Sequence, residues 1–145
     1  MGQVRIVFWH EGSMAVFVDD MHRSPLGRCR GMKMCHMIAE NEIELHLMAE
    51  RIGVERRWYQ RDHYDLPVAK RVLAVRRGAV QVTMRELAAL AFLNRVGQPM
   101  GSPATAVERM RAWKRAQLTT EERAQRVAFQ AEFKRPVMEF GKPFV

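Results

Sequence analysis

The sequence predicts an α/β fold, with a small, mostly parallel sheet of three to four strands flanked by helices and a helical C-terminal extension. Three observations predict it. The length of 145 residues suits one domain. Short apolar runs rich in β-forming residues alternate with amphipathic segments between residues 14 and 97. From residue 14 to residue 97, each predicted strand after the first is reached through a predicted helix, which favours parallel pairing by right-handed crossovers.

The N-terminal segments supply the first strands. MAVFVDD, residues 14–20, predicts a buried strand that ends in two acids, and VRIVFW, residues 4–9, predicts a strand beside it. The segment from Met21 to Met37 contains Pro25, Gly27 and Gly31, which interrupt regular structure, so it is predicted to be a loop.

Helix and strand signals then alternate. Residues 41–52 predict an amphipathic helix, because Asn41 and Glu44 have capping-box spacing and Gly53 stops it. VERRWYQ predicts a strand. Asp65 is predicted to cap the next helix, which has Pro67 in its first turn and ends at Gly78.

AVQV predicts a further strand, and Thr83 and Glu86 form a second capping box that opens a helix ending at Gly97. The sequence therefore divides into a compact α/β domain at 1–97 and a linker with a basic helical extension at 98–145. The extension is predicted to contain two helices, at 104–117 and at 120–134, followed by an extended tail. Thr105 and Glu108 are predicted to cap the first of these helices.

Composition restricts the class of protein and its partners. The net charge is +8, from 24 Lys and Arg against 16 Asp and Glu. Residues 1–99 hold 15 basic against 11 acidic side chains and residues 100–145 hold 9 against 5, so each part contributes +4. The charge favours a nucleotide, a nucleic acid or an acidic protein as partner, although a solvated basic surface also explains it.

Two cysteines, Cys29 and Cys35, occur without a CxxC spacing, which is typical of a reduced, cytoplasmic protein. The N-terminus lacks a secretory pattern, and the apolar runs are too short to cross a bilayer, so no membrane partner is expected.

Asp19 and Asp20 are the first candidate site residues. Adjacent acids at the end of a strand can present carboxylates to a hard cation such as Mg²⁺, so both are candidate metal ligands and catalytic residues. The alternative is that one acid caps a turn and the other is solvated.

The segment RCRGMKMCHM supplies a second group. Arg28, Arg30 and Lys33 surround a glycine, and cations beside exposed backbone amides suit a phosphate. His36 follows as a candidate acid or base. Alternatively, the methionines of this segment pin an irregular loop onto the core.

The third and fourth groups lie in RWYQRDHYD and the helix after it. Trp58 stands among arginines and could stack on a base. His63 is suited to proton transfer, with Asp65 placed to orient it or to share a metal. Lys70 and Arg71 lie one turn into the predicted helix and could attract an anion, unless they are simply solvated.

VFVDDM, GMKMCHMIA, RRWYQ, DHYDL, AKRVLAV and GAVQVT together resemble a bacterial and phage family of unknown function with a VDD…MKMCHM…HYD…KR…GA signature. The resemblance covers residues 14–86 and implies a domain and a site but no reaction. The positions that match the motif are Asp19, Asp20, Lys33, His36, Trp58, His63, Tyr64, Asp65, Lys70 and Arg71.

These groups lead to one functional hypothesis and one alternative. The hypothesis is a basic, Asp/His-containing site that binds a nucleotide or nucleic-acid phosphate, with metal-dependent phosphodiester or phosphate-ester hydrolysis as the reaction class. The alternative is a non-catalytic accessory protein that binds nucleic acid or an acidic protein through its C-terminal helices.

Overall fold

A computed structural model describes residues 15–133, and the chain divides into two compact units with the boundary between Met110 and Arg111. The strand predicted at residues 4–9 and the tail predicted after residue 134 lie outside the described residues. The strands are β1 Val16–Val18, β2 Arg28–Cys29, β3 Met32–Ala39, β4 Tyr59–Gln60, β5 His63–Pro67 and β6 Val80–Gln81. The helices are α1 Glu42–Arg51, α2 Val68–Arg76, α3 Met84–Arg95, α4 Pro103–Ala116 and α5 Thr120–Phe133.

The α/β class is confirmed, but the prediction of a small parallel sheet is wrong. The sheet has six strands in the order β4-β5-β3-β1-β6, and β2 pairs with β3 outside this path. Among the described strands, only β1 and β6 pair in parallel. The pairs β1 with β3, β2 with β3, β3 with β5 and β4 with β5 are antiparallel. The sheet is therefore mixed and mostly antiparallel.

The error comes from the segment between Met21 and Met37, which was predicted to be a loop. Two short 3-10 helices, Met21–Arg23 and Pro25–Gly27, do fill its first part. Arg30 and Gly31 then have φ of 49° and 80°, so they form a two-residue hairpin turn between β2 and β3. The chain then returns as β3, which pairs with β1 as an antiparallel strand without a helical crossover.

The sheet is covered by two groups of core residues, one on each face. On one face, Val16, Val18 and Met37 pack with residues of α1 and α2. On the other, Phe17 and Ile38 pack with residues of α3 and α4. Alternation along the strands assigns each residue to its face.

The helix signals were confirmed in part. Thr83 and Glu86 form the predicted capping box at the start of α3, and Asn41 accepts a hydrogen bond from the Ile43 amide at the start of α1. The predictions for Asp65 and Thr105 are wrong. Asp65 lies within β5, because α2 begins only after Pro67, and α4 begins two residues before Thr105.

The C-terminal unit contains the last turns of α4 and all of α5, close to the two helices predicted there. No described helix is long and apolar enough to span a membrane. The division predicted at residues 97 and 98 stays a prediction.

Candidate functional site

Three neighbouring strands place acids and histidines at one level of the sheet. His36 on β3 is the register partner of Asp65 on β5. Asp19 directly follows β1, and its amide donates to the His36 carbonyl at 3.1 Å. His63 lies two residues before Asp65, so the two share a face. The structure thus brings together four of the predicted catalytic residues.

Asp19 is a buried carboxylate, 1% exposed, that holds His36. One oxygen accepts from the His36 amide at 2.9 Å, and the other lies 2.8 Å from His36 Nδ1. Burial acts to raise the pKa of Asp19, but the hydrogen bonds from His36 outweigh it, so the Asp19 pKa is lowered. The hydrogen bond with Asp19 raises the pKa of His36 against the opposing effect of burial.

His63 is held in the same way by a different carboxylate. Its Nδ1 atom lies 2.9 Å from Asp62 Oδ1. Asp62 also lies 3.3 Å from Arg95 Nε. Because an ionised carboxylate only accepts hydrogen bonds, each histidine uses Nδ1 as its donor, and its Nε2 atom is left to bind another group.

Both Nε2 atoms face one oxygen of Asp65. Asp65 Oδ1 lies 3.5 Å from His36 Nε2 and 3.6 Å from His63 Nε2, and the three atoms lie within 4.8 Å of one another. The second oxygen, Oδ2, accepts from the Gln60 side chain at 2.8 Å. We name His36, His63 and Asp65 the His-Asp centre.

The two nitrogen–oxygen distances of the His-Asp centre are close to those between two ligands of one ion. Distances of 3.5 Å and 3.6 Å are long for hydrogen bonds. Two ligands of a tetrahedral Zn²⁺ ion, each about 2.1 Å from the metal, are about 3.4 Å apart. The hydrogen bond of each Nδ1 atom to a carboxylate is the usual outer support of a metal-binding histidine. The residues therefore fit a transition-metal ion.

Three other predicted residues form hydrogen bonds with backbone groups. Asp20 Oδ1 accepts from the Met84 amide at 2.9 Å, at the start of α3. Arg71 Nε donates to the Asp19 carbonyl at 2.7 Å, and Lys70 Nζ donates to the Ile52 carbonyl at 2.8 Å. Lys70 and Arg71 thus bind backbone oxygens in the structure.

The two aromatic candidates, Tyr64 and Trp58, differ in burial. Tyr64 is buried on the opposite face of the sheet, where its hydroxyl lies 2.7 Å from His46 Nδ1. Trp58 is 56% exposed, and the Arg57 guanidinium lies 5.2 Å from its ring centroid. Their predicted roles in binding phosphate or nucleic acid stay predictions.

Arg28 and Lys33 line a second feature, which we name the basic cleft. It is an open cavity of about 390 Å³ lined by His22, Arg23, Ser24, Pro25, Arg28 and Lys33. The Nδ1 atom of His22 is buried there without a hydrogen-bond partner among the described residues. Burial lowers the pKa of His22, and the charges of Arg71 and Arg23 add to this effect. Arg30, by contrast, lies in the hairpin turn.

Sequence reasoning missed His22, Asp62 and Gln60 as site residues. Asp62 could have been found, because DHYD on a strand places His63 and Asp65 on one face with an acid beside the histidine. The helix predicted to start at Asp65 concealed that pattern. His22 and Gln60 carry no comparable signal, since their places depend on the 3-10 turn and on strand pairing.

The comparisons with known proteins gave one match. The family model described as "Protein of unknown function (DUF4031)" matches residues 16–94, more than half of the chain. The comparisons with curated proteins and with solved structures each found no match. The matched range holds all six strands, the His-Asp centre and the basic cleft, and it confirms the resemblance to a family of unknown function. The chain belongs to the DUF4031 family.

Proposed function

We propose that this protein is a metal-dependent hydrolase whose metal is bound by His36, His63 and Asp65. One observation carries the proposal: two histidine Nε2 atoms and a carboxylate oxygen converge, and each histidine is fixed from behind by its own carboxylate, Asp19 or Asp62. Such outer carboxylates set the ring orientation and tautomer of metal ligands.

The donor set favours a transition metal over Mg²⁺. Two imidazole nitrogens and one carboxylate oxygen suit Zn²⁺, Fe²⁺ or Mn²⁺, whereas Mg²⁺ prefers oxygen ligands and an octahedral shell. The metal is therefore assigned to the His-Asp centre and not to Asp19 and Asp20, whose oxygens accept hydrogen bonds from His36 and Met84.

Three protein ligands leave room for a water molecule at the metal. Held by His36, His63 and Asp65, a metal of this class would lower the pKa of a bound water to about 7 and so would supply a hydroxide nucleophile. In the hydrolysis of a phosphate ester, a P–O bond to the water oxygen would form while the bond to the leaving oxygen breaks. The water would lose a proton to solvent, and the leaving oxygen would take a proton from solvent.

The basic cleft supports a phosphate ester as the substrate. Arg23, Arg28 and Lys33 line it, and cations of this kind bind phosphate oxygens. His22, which lines the cleft, follows Asp19, the partner of His36, by three residues in the chain. A nucleotide would match both features, with its phosphate held by the cations.

The test is hydrolysis of p-nitrophenyl phosphate and bis(p-nitrophenyl) phosphate by protein treated with EDTA and reloaded with Zn²⁺, Mn²⁺ or Mg²⁺. We expect activity with a transition metal and its loss in Asp65→Asn, which removes one ligand charge without changing shape. Glu50→Gln, an exposed acid on α1, is the matched control. Turnover that survives both EDTA and Asp65→Asn would refute the proposal, as would no turnover of either ester with any of the metals.

A further inference from the structure

The C-terminal unit contains a second basic cavity, which we name the hairpin cleft. It lies between the end of α4 and α5 and has a volume of about 500 Å³. Its lining residues are Arg111, Lys114, Arg115, Leu118, Arg123, Arg126, Val127 and Gln130. Five of these eight side chains are cations, and none is an acid.

The spacing of the residues explains why the cations share one cleft. Arg111, Lys114 and Arg115 are spaced i, i+3 and i+4 on α4, so they share one helix face. Arg123 and Arg126 are spaced i and i+3 on α5. Each helix thus presents its basic stripe to the same cavity.

The nearby acids do not line this cleft. Glu122 accepts hydrogen bonds from the amide and hydroxyl of Thr119, each at 2.8 Å, at the start of α5. These bonds lower the pKa of Glu122, so it stays ionised while capping the helix. Four arginines beside one cavity, Arg111, Arg115, Arg123 and Arg126, create a positive potential that attracts an anion.

We propose that the hairpin cleft binds the phosphate backbone of a nucleic acid. A single phosphate group carries at most about two negative charges, which is too few to balance the four arginines. A nucleic-acid strand supplies a phosphate at every nucleotide, about 3.4 Å apart along the axis. The side chain of Val127 adds apolar surface beside the cations, and this residue is 68% exposed. This proposal does not depend on the His-Asp centre.

The test measures binding of fluorescein-labelled 20-nucleotide single- and double-stranded DNA to the full chain by anisotropy, in EDTA, over a series of salt concentrations. If the four arginines contact phosphates, the logarithm of the binding constant falls against the logarithm of salt with a slope of about −2.8 for single strands and about −3.6 for duplex. The triple variant Arg115→Gln, Arg123→Gln and Arg126→Gln reduces the slope by about 2 to 3.

A matched control changes the same charge elsewhere. The triple variant Arg76→Gln, Arg77→Gln and Arg85→Gln removes three exposed arginines from the N-terminal unit, and it is expected to keep the wild-type slope. Circular dichroism confirms that each variant folds, since glutamine keeps a helix propensity close to that of arginine. An equal loss in both triple variants, no DNA binding by the wild type, or tighter binding of polyglutamate than of DNA would overturn the proposal.

Discussion

At the scale of single residues, Asp19 connects the fold to the candidate site. Its amide and one oxygen continue the pairing of β1 with β3, and its other oxygen fixes the His36 ring. Arg71 holds the carbonyl of the same residue. A buried carboxylate is retained only when hydrogen bonds compensate for lost hydration, and Asp19 has such bonds.

The two cysteines differ in reactivity for a reason that the structure supplies. Cys35 is buried in the sheet, and burial together with the charge of Asp19 raises the pKa of its thiol to about 12. Cys29 is exposed on β2. Since the thiolate is the reactive form, we expect a disulfide reagent to modify one thiol in the native protein and both in denaturant. Rapid modification of both native thiols, counted by mass spectrometry, would contradict this placement.

The two tyrosines of the chain provide a test at alkaline pH. Burial raises the pKa of Tyr59, with a contribution from the charge of Glu42, and burial also raises the pKa of Tyr64. Their ordinary pKa is 10.0. As the pH rises through 10, the unfolded chain therefore ionises first and the free energy of unfolding falls.

The measurement is the ultraviolet absorbance of tyrosinate against pH, in native and denatured protein. The native midpoint is expected above that of the denatured chain for both groups. Coincident midpoints would show that Tyr59 and Tyr64 are not packed as the structure describes.

At the scale of elements, the turn between β2 and β3 explains why the predicted topology was wrong. Pro25, Gly27 and Gly31 interrupt regular structure and indicated a loop, but a two-residue hairpin turn with glycine is consistent with the same residues. The spacing of these residues in the sequence does not distinguish a loop from a hairpin. The strand at 16–18, the helix at 42–51 and the Thr83 capping box were predictable, because their signals are local.

Gly27 is the last residue of the second 3-10 helix and packs against the first. A substitution at Gly27 therefore tests the packing of the two 3-10 helices. A Cβ atom there would lie 2.3 Å from the Met21 carbonyl oxygen and 2.9 Å from His22 Cα. Gly27→Ala is therefore expected to lower the free energy of unfolding by about 1–3 kcal/mol, because backbone must move.

The matched control is Leu26→Ala at the adjacent position, where the side chain is 77% exposed. This variant is expected to change stability by less than about 0.5 kcal/mol. Urea unfolding measures both variants. Equal stability of Gly27→Ala and wild type would show that the two 3-10 helices are packed less closely.

At the scale of the whole molecule, the two proposed activities, metal-dependent hydrolysis and nucleic-acid binding, belong to two different compact units. The N-terminal unit carries the His-Asp centre and the basic cleft, and the C-terminal unit carries the hairpin cleft. The even division of the net charge of +8 anticipated basic features in both parts of the chain. It could not show that the cations of α4 and α5 line one cavity.

The residues of the candidate site could be named from sequence only in part. Asp19, His36, His63 and Asp65 were candidates because of their residue types and motifs, but their meeting depends on antiparallel pairing of β3 with β5. Lys70 and Arg71 lie in the first turn of α2, where they donate to the carbonyls of Ile52 and Asp19. Their predicted role in binding an anion stays a prediction.

The central claim is that His36, His63 and Asp65 bind one metal ion, and calorimetric titration of Zn²⁺ into EDTA-treated protein tests it most directly. We expect one ion per chain, loss of that binding in His63→Ala, and a 10–100-fold weaker affinity in Asp62→Asn, which removes only the outer support. Glu50→Gln is expected to bind as the wild type does. Absence of stoichiometric binding, or unchanged affinity in His63→Ala, would contradict the account.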